Sequence, residues 1–328
     1  MSTTDQNLRE FLTRVVNLEP ERLARYRDQV RFLRERLTAH VNANPEFGLH
    51  KMLHSGSAKK GTAISTLNDM DMAVYLRPEK IPDHELPNVL EYVRDQLIKV
   101  YPQMESSQFS IGRHAVMVYF KTTGLSVDVV PVIPNGKPDD RGDLATAGTT
   151  DWVETSIPLH LRFIKTRRDQ HENFRELVRL TKWWRESQEI RFKSFMIELL
   201  WAHVLDSGYA TGKDLGEAML AFFGYVIRSE LREPVSFNDC YTNPTATNDP
   251  VQIFDPAASP HSLPRGVGVH RAQRVRESHC RSIRPKNVSP LRPQNLLDDQ
   301  SSLRCQVIIS DSVLARFEFI PFHLDPHK

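Results

Sequence analysis

The stretch Gly56-Ser57-Ala58-Lys59-Lys60-Gly61-Thr62, with Asp69-Met70-Asp71-Met72-Ala73-Val74-Tyr75-Leu76 following seven residues after Thr62, decides how this chain is read. The second part alternates into an apolar run, which predicts a strand. A spacing of two puts Asp69 and Asp71 on one face and Met70 and Met72 on the other. Two carboxylates so close repel each other unless a cation sits between them. They suit a pair of divalent ions about 3.5–4 Å apart. The first part supplies something different. Gly56 lets the backbone approach phosphate oxygens closely, and Ser57 adds an O–H donor. Donors for a triphosphate and carboxylates for metals are the two things phosphoryl or nucleotidyl transfer asks of a protein. The motif is not a Walker loop, because no Gly-x₄-Gly-Lys-Ser/Thr opens a helix.

Further along, Asp128 sits in Leu125-Ser126-Val127-Asp128-Val129-Val130-Pro131-Val132, an otherwise apolar run. A lone acid there is costly to bury without a partner. As a third metal ligand it would also be placed to take a proton from an attacking ribose hydroxyl. Arg175, Arg179 and Lys182 recur at spacings of four and three and share one helix face, beside an apolar stripe of Leu177, Leu180 and Trp184. Ser194 reads as a helix N-cap, with Phe195 opening the helix.

Periodicity places these motifs. Residues 7–42 read as largely helical, with Pro20 starting a second, longer helix. A Gly/Ser/Lys-rich turn is expected at 54–62, strands at 70–76, 114–120 and 125–133, and a helix at 88–100. Residues 134–150 read as a polar loop. From about 155 the period turns helical, with candidates at 156–168, 172–187, 194–206 and 213–227. The expectation is an α+β chain divided into an N-terminal helix and catalytic core (1–150), a helical nucleotide-binding lobe (151–264) and a basic, proline-rich tail (265–328).

The 328 residues carry 43 basic and 41 acidic side chains, for a net charge of +2. That balance is uneven. Residues 265–328 hold 11 of the basic and 6 of the acidic groups, so the rest of the chain is slightly acidic. A broad polyanion-binding surface is therefore not expected before the tail, and no obligate nucleic acid is expected as partner. The tail itself reads as poorly packed or disordered, with a nucleic-acid-binding arm and a stretch that does not continue the ancestral reading frame as the other readings. Cys240, Cys280 and Cys305 are odd in number and far apart, which argues against a disulfide framework and a zinc site. No apolar run reaches the ~20 residues of a membrane span. The polar N-terminus is unlike a signal peptide, and a cytoplasmic location is expected.

The ordered set Gly-Ser, Gly-Thr, Asp-x-Asp and a later strand acid resembles the DNA polymerase β-type nucleotidyltransferase superfamily. More narrowly, it resembles the branch holding oligoadenylate synthases, cyclic GMP-AMP synthase and the bacterial CD-NTases of anti-phage (CBASS) signalling. Val127-Asp128-Val129-Val130-Pro131 is similar to that branch's third-acid strand, and Leu177-Val178-Arg179-Leu180-Thr181-Lys182-Trp183-Trp184 to its lysine-bearing helix. Lys193-Ser194-Phe195 and Val251-Gln252-Ile253-Phe254-Asp255-Pro256 match two further segments. The resemblance covers roughly residues 10–260.

It implies a mixed sheet with flanking helices plus a helical lobe. The donor triphosphate would lie on Gly56, Ser57, Lys182 and Ser194, and a base would stack on Phe195, where the family usually has tyrosine. Asp69, Asp71 and Asp128 would hold Mg²⁺, or Mn²⁺ in its place. The implied substrates are ATP, GTP or both, and the implied product is a cyclic di- or trinucleotide. The alternative is a linear 2′–5′ oligonucleotide or transfer to another acceptor. The resemblance also leaves room for a regulatory protein partner; a monomer is expected. No zinc-binding Cys/His cluster interrupts the helical part, which favours the bacterial branch.

Overall fold

The computed structural model describes residues 3–82, 88–241 and 251–257. Segment 258–328 lies outside the described residues, and with it the expected basic tail.

The chain begins with α1 (Thr3–Phe11), which runs through a π-helical turn at Leu12–Val16. It breaks at Asn17–Glu19 and resumes as α2 (Pro20–Ala43), with Pro20 in the first turn where its missing N–H costs nothing. Then follow β1 (Leu49–Ser55), α3 (Gly56–Lys60), β2 (Asp69–Leu76), α4 (Val89–Val100), β3 (Phe109–Ile111), β4 (Val116–Phe120), β5 (Leu125–Pro134), β6 (Gly142–Ala145) and β7 (Trp152–Thr155). Helices α5 (Ile157–Gln170), α6 (Phe174–Ser187), α7 (Ser194–Asp206) and α8 (Leu215–Ser229) follow, and irregular segments at 230–241 and 251–257 pack after them.

The sheet runs β1-β2-β5-β4-β3, with β6 pairing β5 and β7 pairing β6. Only β2 and β5 are parallel; every other pair is antiparallel. One face of the sheet is apolar apart from His54 of β1, which pairs with Met72. Met70, Met72, Val74 and Leu76 of β2 pack with Val116, Val118, Val127 and Val129 against Leu33 and Leu37 of α2 and Val93 and Leu97 of α4. The second core is helical, built from α5 to α8 around the fully buried Trp201. Leu12 and Val16 belong to this second core, so the chain's N-terminal turns dock on the helical lobe. Asp5 fixes them there, accepting a 2.8 Å bond from Leu215 N at the start of α8.

Three segments depart from the sequence expectations. The turn expected at 54–62 is instead the end of β1 and a short helix, α3. The polar loop expected at 134–150 contains β6, whose Gly142 packs on the Ile133 backbone so closely that a side chain would clash. At 194 the helix already begins at Ser194, and Lys193 is the cap residue, so Ser194 is not the N-cap.

Candidate active site

The polar face of the sheet carries the acids. Asp71 on β2 pairs in register with Asp128 on β5, and Ser55 at the end of β1 pairs with Asp71 from the other side. Asp69 lies two residues earlier on the same face, paired with Ser126. Further along this face Ala73, Tyr75 and Val132 form a small apolar cluster with Ile157 of α5. The acids are therefore at the open end of a face that is otherwise covered.

The turn after β1 meets them directly. Gly56 has φ +72, and a Cβ there would overlap the Asp71 carboxylate. Only glycine gives both the left-handed backbone and the empty volume. Gly61 (φ +75) ends α3, and Thr62 N donates to Ser57 O at 2.9 Å. Arg22 of α2 then clamps the connection to β2 by donating to Ser65 O (2.7 Å) and Leu67 O (2.9 Å).

Electrostatics set the acids apart from ordinary surface carboxylates. Burial, then the charges of Asp69 and Asp128, push the Asp71 carboxyl up to about 6, with Lys60 partly offsetting them. Burial and Asp69 also raise Asp128. Such a set is uncomfortable when ionised and is relieved by a cation. Among the described residues no three His, Cys, Asp or Glu side chains close into a finished metal cage. The fit to a divalent ion rests on the donor set: hard oxygen ligands, mutually repelling, on adjacent strands.

Lys182 is placed differently from an open phosphate ligand. It is 2% exposed, and its Nζ donates to Glu198 Oε1 (2.7 Å) and Thr62 Oγ1 (2.9 Å). Glu198 also accepts from Thr62 Oγ1 (2.7 Å) and Lys60 Nζ (2.9 Å). Burial alone would raise the Glu198 carboxyl, but Lys182 and Lys60 outweigh it and hold it at about 2. This buried network ties α3 to α6 and α7. Sequence reading missed Lys60, Thr62 and Glu198 as its members.

Ser194 Oγ accepts from Arg185 Nη1 at 3.0 Å. Phe195 lies beneath Lys60, whose Nζ is 4.4 Å from the ring centroid, and 4.8 Å from the His160 ring. His160 is bonded to the buried Asp255 at 2.6 Å, so the Asp-Pro segment does reach this corner. Arg175 approaches Gly61, while Arg179 pairs with Glu176 (2.6 Å) on its own helix. The structure thus gathers Gly56, Ser57, Asp69, Asp71 and Asp128 at one end of the sheet, and groups Lys182, Ser194 and Phe195 on the helical side. Among the described residues no helix is long and apolar enough to cross a membrane.

Comparison with known proteins agrees with this fold. The profile of the Second Messenger Oligonucleotide or Dinucleotide Synthetase domain matches residues 1–167. An Escherichia coli (strain MS 115-1) protein named cyclic AMP-AMP-AMP synthase is 39% identical over 268 residues, covering 79% of this chain and 83% of its own. A protein named CBASS oligonucleotide cyclase CdnC, from E. coli (strain KTE188), is 33% identical over 269 residues, covering 80% and 84%. Among solved structures, E. coli CdnC with ATP superposes at a TM-score of 0.71 with 38% identity, over 79% of this chain and 83% of that one. Its complex with HORMA-deltaN superposes at 0.70 with 37% identity, over 84% and 88%. The mixed sheet with flanking helices is thus the nucleotidyltransferase fold of these relatives, and the chain belongs to the bacterial CD-NTase family of second-messenger oligonucleotide synthetases.

Proposed function

We propose that this protein joins nucleoside triphosphates, ATP foremost, into a cyclic oligonucleotide with release of pyrophosphate, as the signal generator of a CBASS anti-phage system. The observation that carries the reading is the cross-strand row Ser55, Asp71, Asp128 with Gly56 packed against the Asp71 carboxylate. It joins a phosphate turn to two acids in one row, with Asp69 two residues before Asp71 on the same face. The relatives named as a cyclic AMP-AMP-AMP synthase and a CBASS oligonucleotide cyclase support the product class and the adenine base. The CdnC complex with HORMA-deltaN supports a regulatory protein partner.

Asp69, Asp71 and Asp128 would hold magnesium, which when bound neutralises charge on the transferring phosphoryl group. Gly56 and Ser57 offer backbone and hydroxyl donors to the donor triphosphate. Lys60 and Lys182 hold positive charge behind that turn, anchored on Glu198. Ser194 adds a hydroxyl at the start of α7, and Phe195 a ring face for a base. Asp128, raised by burial and Asp69, is placed to accept the proton of the attacking ribose hydroxyl. A second round on the bound linear product closes the ring.

The test is incubation with labelled ATP, alone and with the other triphosphates, in Mg²⁺ or Mn²⁺, followed by phosphatase. A cyclic product keeps its label, whereas a linear one loses its terminal phosphates. Conversion only to phosphatase-sensitive material would replace the cyclic reading with the linear one. Activity retained in Asp69→Asn or Asp71→Asn would refute the site.

A further inference from the structure

The sheet register sets which residues lie on each side of the acids. Strand β1 leads straight into α3, so the phosphate turn lies on the β1 side of Asp71. In an in-line displacement the attacking and leaving oxygens stand on opposite sides of phosphorus. With pyrophosphate leaving on the α3 side, the attacking hydroxyl comes from the side of β5 and β4. Phe195 cannot serve that side, because it sits against Lys60 and His160 on the donor side.

What the β5–β4 side offers is specific. Asp69 pairs with Ser126, and Ser126 with Tyr119, so these three form one row across β2, β5 and β4. Asp71, Asp128 and Met117 form the next row. Residues directly opposite across strands share a face, so Tyr119 and Met117 stand on the face that bears the acids. Two strand spacings, about 10 Å, separate Tyr119 from Asp69, about the span between a reacting ribose and the far edge of its base. Along β4 the alternate residues Val116, Val118 and Phe120 are buried in the core, whereas Tyr119 is 39% exposed. Its strand is pinned from outside, since Gln108 Nε2 donates to Tyr119 O at 2.7 Å. An exposed aromatic ring on a rigid strand beside the reacting centre is a stacking surface for a base.

We propose that Tyr119, flanked by Met117, is the platform on which the base of the acceptor nucleotide stacks. This rests on the nucleotidyl-transfer reading above, and the assignment concerns the acceptor alone. The hydroxyl oxygen of the acceptor forms the new bond to the donor α-phosphorus, the α–β P–O bond breaks, pyrophosphate leaves, and the hydroxyl proton passes to carboxylate or solvent.

Two analogues separate the substrates. 2′,3′-Dideoxy-ATP has a cleavable triphosphate and no ribose hydroxyl, so it serves only as donor. α,β-Methylene-ATP keeps both hydroxyls and cannot lose pyrophosphate, so it serves only as acceptor. Their linear product is quantified while each concentration is varied in turn. Tyr119→Ala is expected to raise the acceptor KM at least about fivefold, the low end for loss of one base–aromatic stack, and to leave the donor KM within twofold. Tyr119→Phe and Tyr119→Trp are expected to restore the acceptor KM. Because the side chain is exposed, unchanged melting temperatures are expected for all three. An unchanged acceptor KM in Tyr119→Ala, or equal rises in both KM values, would overturn the platform. No product from the wild type would overturn the transfer reading, and the platform with it.

Discussion

The Asp71 carboxylate lies against the α-carbon of Gly56, in the volume that any side chain at position 56 would need. The turn at Gly56 and the acid-bearing strand β2 are therefore one packed unit and not two neighbouring motifs. Gly56→Ala must relax φ +72 and push Asp71 aside at once. Loss of nearly all pyrophosphate release is expected, with a fold destabilised by more than about 1 kcal/mol. Parallel turnover and thermal melts check this; a variant retaining more than a tenth of wild-type turnover would show that the contact is dispensable.

Asp71→Asn should abolish activity and yet raise the melting temperature of metal-free protein. The folded carboxyl titrates at about 6 against an ordinary 3.8, so the folded state binds the proton more tightly than the unfolded one. That contribution to stability is full below pH 4 and is lost as pH rises through 6. At neutral pH the ionised group costs up to about 3 kcal/mol, which the amide removes. Melts in chelator between pH 4.5 and 7.5 are expected to show the variant gaining most at the alkaline end. A variant less stable than wild type at pH 7.5 would contradict the assigned repulsion.

Glu198→Gln leaves Lys182 buried beside a neutral partner. A loss of roughly 3 kcal/mol is expected, the range for one half of a buried pair. The double variant Lys182→Met with Glu198→Leu should recover part of it, since the most deeply buried charge, on Lys182, is then gone and only the less buried Lys60 is left without its carboxylate. Denaturant unfolding of Lys182→Met, Glu198→Leu and the double gives the coupling; additive losses would mean that the two residues act independently.

Thr181→Val removes the acceptor of the fully buried Trp201 indole N–H, now bonded at 2.8 Å. The shape is kept and one donor is orphaned, so a loss of about 1–3 kcal/mol is expected with little change in KM. Urea midpoints and steady-state kinetics distinguish this from a defect at the nucleotide site.

The acids were legible in the sequence because alternation and spacing are local. Asp69 and Asp71 needed only a period of two, and Asp128 stood out in an apolar run. Strand β1 was not legible, because Leu-His-Lys-Met-Leu-His-Ser is largely half-buried and shows no clean alternation. Strand β6 is four residues with an Asp and a Gly, which reads as loop until β5 and β7 flank it. The Lys60–Glu198 and Thr62–Glu198 contacts join residues 138 and 136 positions apart, a relation no local pattern encodes. Lys182 was found as part of a basic helix face, but its burial follows from packing against α7 and could not be read from that face alone.

The docking of α1 carries a consequence for how the chain comes into being. Asp5 meets Leu215 across 210 residues, and Leu12 and Val16 enter a core supplied by α5 to α8. A ribosome releases the first turns long before their partners exist. The sheet can close around α2 and α4 while the leading segment waits, undocked, for the last helices to arrive. Such a distant closure is slow to form. A segment made before the sheet is thus among the last to find its place, and a chain stalled before α8 would leave Leu12 and Val16 without part of their core.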